Sequence, residues 1–200
     1  MASACVAPVN AIEESAMEPL VYHRRTLLGL LGVGAGTLWA WRGAGSTAAA
    51  SELPIGKPLP DFAGATGWLN TPAPLTTAAL KGTVVLVHIW TFACINCQRT
   101  LPYVVEWHRR YAARGLRVVG VHTPEFAFER EIGNVTRALG QRDITYPNAI
   151  DNDFAIWKAY SNRYWPHLFL ADRQGRLRYD HIGEGAYDTT ERAIRTLLEA

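Results

Sequence analysis

The strongest constraint on the fold is an apolar run that is followed directly by two cysteines. Residues 83–91 read TVVLVHIWT, and Cys94 and Cys97 come next. The run is rich in β-branched residues and shows little alternation of polar and apolar positions, a pattern typical of a strand buried on both faces of its sheet. Because helices on both sides bury a sheet in this way, the run predicts an α/β domain with a central sheet.

Helical and extended patterns alternate along the rest of the chain. Apolar residues recur at helical spacing after Cys97, and Gly115 ends that helix. Asp188, with Glu191 three residues later, predicts a capping box at the start of a last helix. We predict a strand over 83–91, a helix over 97–113, a strand over 116–122, a helix over 126–139, a strand over 145–150, a short helix over 153–160, and a hairpin of 167–171 with 177–182. This order predicts an α/β sandwich with a mixed central sheet flanked by helices.

The composition excludes several classes of protein. The chain has 200 residues, of which 48% are hydrophobic and 19% are charged, as in globular domains. The formal net charge is only +2 and no run of like charges occurs, so we expect no nucleic acid as a partner. Three cysteines are too few for a scaffold held by disulfides, which favours a chemical role for them. We expect the protein to be a monomer.

The beginning of the chain has the pattern of an export signal. Arg24 and Arg25 precede an uncharged, glycine-rich stretch over 26–41, which is shorter than the roughly 20 residues of a membrane-spanning helix. Small residues up to Ala50 then give the small-x-small form that a signal peptidase accepts. The arginine pair resembles a twin-arginine signal.

We therefore predict a signal over 1–50 that is cleaved after Ala50, an extracytoplasmic location, and one domain over 51–200. If the signal stays uncleaved, it serves as a membrane anchor. Cleavage removes the first cysteine of the chain and leaves only Cys94 and Cys97.

These two cysteines stand where the predicted buried strand meets a helix. Cys94 is at the start of the helix, where free backbone N–H groups and the helix dipole stabilise a thiolate and lower the thiol pKa. Cys97 is one turn further along, and it is close enough to form a disulfide with Cys94. The pattern predicts a redox-active disulfide as the only redox group, with Cys94 as the attacking sulfur and Cys97 as the resolving sulfur.

The sequence around the pair resembles that of thioredoxin-fold proteins. Residues 90–97 read WTFACINC, and Pro102 follows in the helix. This stretch is similar to the active site of the extracytoplasmic TlpA-like group and, in particular, of the thioredoxin-like domain of DipZ proteins. The likeness continues through VVGVHTPEF over 118–126, YWP over 164–166 and HIGEGAYDTTE over 181–191. It implies a thioredoxin fold over 53–200, with the helix-and-strand insertion of TlpA-like members over 125–151.

The resemblance also implies a binding role for the loop that faces the cysteines. In the family a cis-proline lies there, and Pro166 matches it, so that the backbone of Trp165 is aimed at an extended substrate strand. A bulky tryptophan at this position, and Ile95 and Asn96 between the cysteines, differ from the residues usual in thioredoxins. We expect these positions, together with Trp90 before the pair, to tune redox potential and substrate access.

The sequence leaves open which side chain takes the proton from the resolving cysteine, Cys97. Thioredoxins usually place a buried carboxylate two residues before the matching tryptophan, but this chain has His88 there. Two interpretations of His88 stay open, a buried histidine with satisfied hydrogen bonds and a base. Glu125, which follows Pro124 at a strand end, either approaches the cysteines or is a solvated loop carboxylate.

Two functions are compatible with the cysteine pair. The first is an exported thiol-disulfide oxidoreductase that acts on client proteins with disulfides. The family likeness favours a reductant, which needs a membrane electron donor of the CcdA or DipZ kind. The second is a copper-handling protein in which the thiolates and His122 or His167 hold copper(I). We expect no structural metal site, because a second pair of ligands at zinc spacing is absent from the sequence.

Overall fold

The computed structural model describes residues 54–200, and the predicted signal over 1–50 with its cleavage site lies outside them. The strands are β1 (Gly67–Leu69), β2 (Val84–Trp90), β3 (Leu116–His122), β4 (Asn148–Ile150), β5 (His167–Ala171) and β6 (Leu177–Ile182). The helices are α1 (Ile95–Tyr111), α2 (Ile132–Gln141), α3 (Ala155–Ala159) and α4 (Tyr187–Glu199), with short 3-10 turns at Ala112–Arg114 and Ala127–Arg130. Among these residues, no helix combines the length and the apolar character needed to cross a bilayer.

The strands form one mixed sheet in the order β1-β4-β3-β2-β5-β6. The neighbours β2, β3 and β4 run parallel, whereas β1, β5 and β6 are antiparallel to the strands they pair with. The predicted mixed sheet is confirmed, and so is the thioredoxin fold. The strand that leads to the cysteines, β2, lies between β3 and β5 in the middle of the sheet.

Every residue of β2 is buried, and its side chains alternate between two apolar layers. Val84, Leu86 and Trp90 join the layer under α1, α2 and α4. Val85 and Ile89 join the opposite layer, which α3 and the segment over 59–80 cover. This arrangement explains why the sequence of β2 shows no polar alternation, since both of its faces meet core.

The helix predicted over 126–139 is wrong in its first half. The chain instead forms the 3-10 turn at Ala127–Arg130, becomes extended at Glu131, and starts α2 at Ile132. The physical reason is Glu129, whose carboxylate accepts the backbone N–H groups of Glu125 and Phe126 at 2.8 and 2.9 Å and so closes a separate turn. The segment over 125–151 still supplies a helix and a strand, α2 and β4, as the resemblance implies.

The capping box predicted for the last helix is also wrong. The N-cap of α4 is Ala186, in a left-handed conformation with φ of 49°, and no side chain caps it. Glu191 points to α1 instead, where its carboxylate accepts hydrogen bonds from Arg110 at 2.7 Å and from the hydroxyl of Tyr111. Asp188 lies within the first turn of the helix, where the helix dipole stabilises its negative charge.

A glycine in β3 makes room for a polar contact beneath the active site. Gly120 pairs with His88 on one side and with Asn148 on the other. A Cβ atom on Gly120 would lie 1.9 Å from Oδ1 of Asn148, so only glycine lets that amide cross the strand. The amide oxygen accepts a hydrogen bond from Nε1 of Trp90 at 3.1 Å, and the amide nitrogen donates to the carbonyl of Tyr146 at 2.8 Å. Gly120 therefore fixes the indole that ends β2.

Replacing Gly120 by alanine should destabilise the protein, because the new methyl group displaces Asn148 and leaves the buried indole N–H without its partner. We expect a loss of about 1–3 kcal/mol in the free energy of unfolding, measured by urea denaturation. Gly133→Ala is the matched control, since no atom lies within 4 Å of the added Cβ and the site is helical. Equal stability of the two variants would contradict this account of Gly120.

Candidate active site

The attacking cysteine occupies the N-cap position of α1. The backbone of Cys94 is still extended, with φ of −71° and ψ of 119°, and its Sγ atom accepts the backbone N–H of Cys97 at 3.4 Å. Strand β2 ends four residues earlier, so the buried strand delivers this sulfur to the positive end of a helix of 17 residues. Both cysteines are free thiols; Cys94 is partly exposed and Cys97 is fully buried.

The pKa values of the two cysteine thiols are shifted in opposite directions. The thiol of Cys97 donates a hydrogen bond to the Cys94 sulfur, and this bond lowers the pKa of Cys94 to about 6, against the opposing effect of burial. The backbone N–H groups of Cys97 and Asn96 contribute in the same direction. Burial raises the pKa of Cys97 far above its ordinary value, and the neighbouring Cys94 sulfur raises it further. At neutral pH the pair is therefore a thiolate at Cys94 beside a thiol at Cys97.

The loop that faces Cys94 carries a cis peptide bond between Trp165 and Pro166, as the resemblance implies. The carbonyl oxygen of Trp165 lies 3.9 Å from Sγ of Cys94. The indole of Trp165 donates to the carbonyl of Thr123 at 3.0 Å and packs on Trp157, with ring centroids 4.2 Å apart. The bulky side chain is thus held by Thr123 and Trp157, and the backbone carbonyl beside it borders the site.

The aromatic residues near the pair divide into core and surface. Trp90 is fully buried and belongs to the core, whereas the side chains of Ile95 and Tyr164 are more than half exposed. Phe126 and Phe128 are about half exposed and stack with their rings 5.7 Å apart. These four exposed side chains, Ile95, Phe126, Phe128 and Tyr164, form what we call the apolar rim. Asn96 is half buried and contributes its backbone rather than its side chain.

His88 is buried but not satisfied. Its ring stacks on Trp90 at a centroid distance of 6.2 Å, and neither ring nitrogen has a hydrogen-bond partner within residues 54–200. Burial lowers the pKa of His88 to about 3, so the imidazole is neutral in the folded protein. The expectation of a histidine with satisfied hydrogen bonds is therefore wrong, although the expected burial is correct.

A carboxylate that sequence reasoning missed, that of Glu129, lies beneath the active-site turn. Glu129 is fully buried, and its Oε1 atom accepts hydrogen bonds from the hydroxyl of Thr91 and from the backbone N–H of Ala93 at 2.9 Å. Glu125, which sequence reasoning did consider, is exposed, but its charge still raises the pKa of Cys94. The signal that could have identified Glu129 is its position directly after two aromatic residues, in FAFE over 126–129, shortly after the end of a buried strand.

The two histidines considered for copper are engaged elsewhere. His167 has its Nδ1 atom 2.6 Å from Oδ1 of Asn162 and its Nε2 atom 3.1 Å from Oδ2 of Asp180. Nε2 of His122 lies 3.3 Å from the hydroxyl of Thr91. Within the described part of the chain, no three histidine, cysteine or acidic side chains are arranged to hold a metal ion. The site gives the copper hypothesis no support.

Comparisons with known proteins agree with the fold and with the class of protein. The family model described as Redoxin matches residues 54–198. Protein DipZ of Mycobacterium tuberculosis is 48% identical over 151 residues, which are 74% of this chain but only 22% of DipZ. The thiol-disulfide oxidoreductase YkuV of Bacillus subtilis is 29% identical over 147 residues, which cover 73% of this chain and 97% of YkuV. A solution structure of a thioredoxin-like protein in the oxidised form has a TM-score of 0.66 at 30% identity and covers 72% of this chain and 96% of that one.

Fold, cysteine geometry and relatives together define the class, a thiol-disulfide oxidoreductase with a thioredoxin fold. Within this class, the chain belongs to the redoxin family. The predicted likeness to the thioredoxin-like region of DipZ is confirmed. The chain spans about a fifth of the length of those relatives.

The hydrogen bond between the two sulfurs can be tested by removing its donor. Cys97→Ala should raise the pKa of Cys94 from about 6 toward its ordinary value, because only the backbone donors remain. The measurement is the thiolate absorbance at 240 nm as a function of pH. Cys97→Ser keeps a hydroxyl donor and should leave the pKa closer to that of the unmodified protein. A Cys94 pKa that is the same in all three proteins would show that the Cys97 thiol is not the cause.

Proposed function

We propose that the protein is an extracytoplasmic reductant of protein disulfides that acts through Cys94 and Cys97. The observation that supports this proposal best is the asymmetry of the pair. A partly exposed sulfur with a low pKa caps α1, and a buried thiol lies one helical turn behind it. The carbonyl of Trp165 at 3.9 Å from the Cys94 sulfur offers an acceptor to an extended client strand.

In the first step, the thiolate of Cys94 attacks one sulfur of a client disulfide. A bond forms between Cys94 and the client, the client disulfide breaks, and the released client thiolate takes a proton from water. The N-cap position supplies the thiolate, because the backbone N–H groups of Asn96 and Cys97 stabilise its charge. The apolar rim adds exposed hydrophobic side chains, of which Ile95 directly follows the attacking cysteine and Phe128 packs near Phe92, and such surface suits an unfolded client segment.

In the second step, Cys97 resolves the mixed disulfide. Its thiol loses a proton, its sulfur attacks the sulfur of Cys94, and the second client sulfur leaves as a thiolate that is then protonated. The client has gained two electrons and two protons. The protein has lost the two electrons and the proton of Cys97 as the disulfide between Cys94 and Cys97 forms, and water has supplied the other proton. That disulfide is the redox group, so the reaction requires no separate cofactor.

Support for the proposed direction of electron flow and the proposed location comes from the relatives and from the sequence over 1–50 rather than from the geometry. Likeness to a region of DipZ supports a membrane electron donor of the CcdA or DipZ kind, which would return the disulfide to the dithiol form. The twin-arginine-like pattern over 1–50 supports export. A reductant outside the cytoplasm needs such a donor, since it cannot draw on cytoplasmic reductants directly.

The reduction potential of the pair tests the proposed direction. Equilibration of the full chain with defined thiol buffers should give a value near or below about −230 mV, toward the thioredoxin end of the known range. A value above about −180 mV would assign the protein to the disulfide donors and reverse the proposed direction. Cys94→Ser serves as the blank, since it cannot form the disulfide.

The different roles of the two sulfurs predict that a variant without Cys97 accumulates mixed disulfides with its clients. In Cys97→Ala the first step proceeds and the second cannot, so client proteins should accumulate as mixed disulfides with Cys94 that disappear on treatment with dithiothreitol. Non-reducing electrophoresis of extracts from cells that express the variant measures them. Cys94→Ala, which retains only the buried sulfur, should trap far less. Comparable trapping by both variants would contradict the assignment of Cys94 as the attacking residue.

A further inference from the structure

The loop between β3 and α2 brings two carboxylates to the active site at different depths. Glu125 is exposed, whereas Glu129 has no solvent-accessible surface. The complete burial of Glu129 is unusual for a glutamate, because burying a charged group is costly unless hydrogen bonds or an opposite charge compensate it. What compensates Glu129, and which reacting atom it faces, determine its role.

Hydrogen bonds to the ionised form compensate Glu129. Oε1 accepts from the hydroxyl of Thr91 and the N–H of Ala93, and Oε2 accepts from the N–H groups of Glu125 and Phe126. Burial alone would raise the pKa of Glu129, but these four hydrogen bonds outweigh burial and hold the pKa below its ordinary value. Among residues 54–200, the ion pairs do not include Glu129. Its negative charge is thus fixed, and no residue of the described part of the chain forms an ion pair with it.

Thr91 connects this charge to the resolving sulfur. Its hydroxyl donates to Glu129, while its backbone N–H is hydrogen-bonded to the sulfur of Cys97. One residue therefore contacts both the carboxylate and the sulfur that must ionise in the second step. In this buried setting two negative charges repel each other more strongly than they would in water.

We propose that Glu129 is a positioning residue that holds the proton on Cys97. Its fixed charge opposes the second negative charge that forms on the Cys97 sulfur, and so adds to burial and to the Cys94 sulfur, which already keep Cys97 a thiol in the reduced protein. The same charge slows resolution and prolongs the mixed disulfide with the client. This inference rests on the proposed roles of the two cysteines, and it assigns the timing of the second step to a residue outside the Cys-x-x-Cys motif.

The other titratable groups near Cys97 do not produce this effect. His122 on β3 contacts Thr91, and His88 on β2 stacks on Trp90. Burial lowers the pKa of His122 to about 4 and that of His88 to about 3, so both rings are neutral above pH 6. Cys94, the remaining group, is already part of the mixed disulfide when Cys97 ionises and then carries no charge.

The test follows the two steps separately with 5,5′-dithiobis(2-nitrobenzoate) as the probe. When the reduced full-length protein is mixed with this disulfide, Cys94 releases one coloured thiolate, and resolution by Cys97 releases the second. In Glu129→Gln, the pH profile of the second phase should move to lower pH. Because a more acidic thiol is also a weaker nucleophile, the second phase at pH 7 should become at least about threefold faster for each pH unit of that move.

Glu125→Gln is the matched control, since it removes a carboxylate from the same loop that acts on the other sulfur. Its charge raises the pKa of Cys94, so this variant should shift the pH profile of the first phase downward and leave the second phase unchanged. A merely structural role for Glu129 would loosen the turn that holds Ala93. The amide nitrogen of glutamine cannot accept the hydrogen bonds that one carboxylate oxygen accepts, so Glu129→Gln also perturbs this turn. Only the loss of the charge moves the pH profile of the second phase to lower pH, and changed rates without that move would contradict the proposal.

A second phase that is unchanged or slower in Glu129→Gln would overturn the proposal, the slower rate indicating that Glu129 accepts the proton instead. If this variant does not fold, the carboxyl carbon of Glu129 can be titrated by 13C NMR in the unmodified protein. The proposal requires an ionised carboxylate at pH 7, and a protonated one would refute it. Failure of the proposed function looks different, because the unmodified protein would then show no second phase at all.

Discussion

The contact on which the site depends is the one between the Cys94 sulfur and the first turn of α1. A sulfur at an N-cap replaces the oxygen that usually accepts the free N–H groups there, and in return those groups stabilise a negative charge on it. This exchange works only if the sulfur is held at the helix start. Strand β2 does so, because both of its faces are buried and it ends just before the turn.

Because β2 is buried on both faces, the polar side chains on and beside it must find hydrogen-bond partners inside the core. On one face, Asn148 reaches across Gly120 to the indole of Trp90, so a polar side chain is buried with its hydrogen bonds made. His88, two residues before that indole, is buried without any such partner among the described residues. An unsatisfied buried polar group costs about 1–3 kcal/mol. The site therefore combines a buried polar side chain whose hydrogen bonds are made, Asn148, with a buried polar side chain whose lack of partners lowers stability, His88.

The parts of the fold that local patterns determine could be predicted from the sequence. The apolar run of β2, the helical spacing in α1 and the cysteines between them give the mixed sheet and the reactive pair. The parts that fail depend on distant residues. Glu191 leaves its predicted capping role because Arg110 and Tyr111 on another helix bind it more effectively. Glu129 resembles an ordinary surface glutamate until the fold brings Thr91 and Ala93 over it, and β1 is only three residues long, too short to show a pattern.

The burial of Cys97 behind an accessible Cys94 also determines how the protein withstands oxidants. A peroxide reaches the exposed thiolate first and converts it to a sulfenic acid, whose further oxidation would be irreversible. A thiol one helical turn away condenses with the sulfenic acid and releases water. The product is the same disulfide that forms in turnover. Oxidative damage at Cys94 is thereby converted into an ordinary state of the catalytic cycle, from which any reductant of the pair recovers the protein.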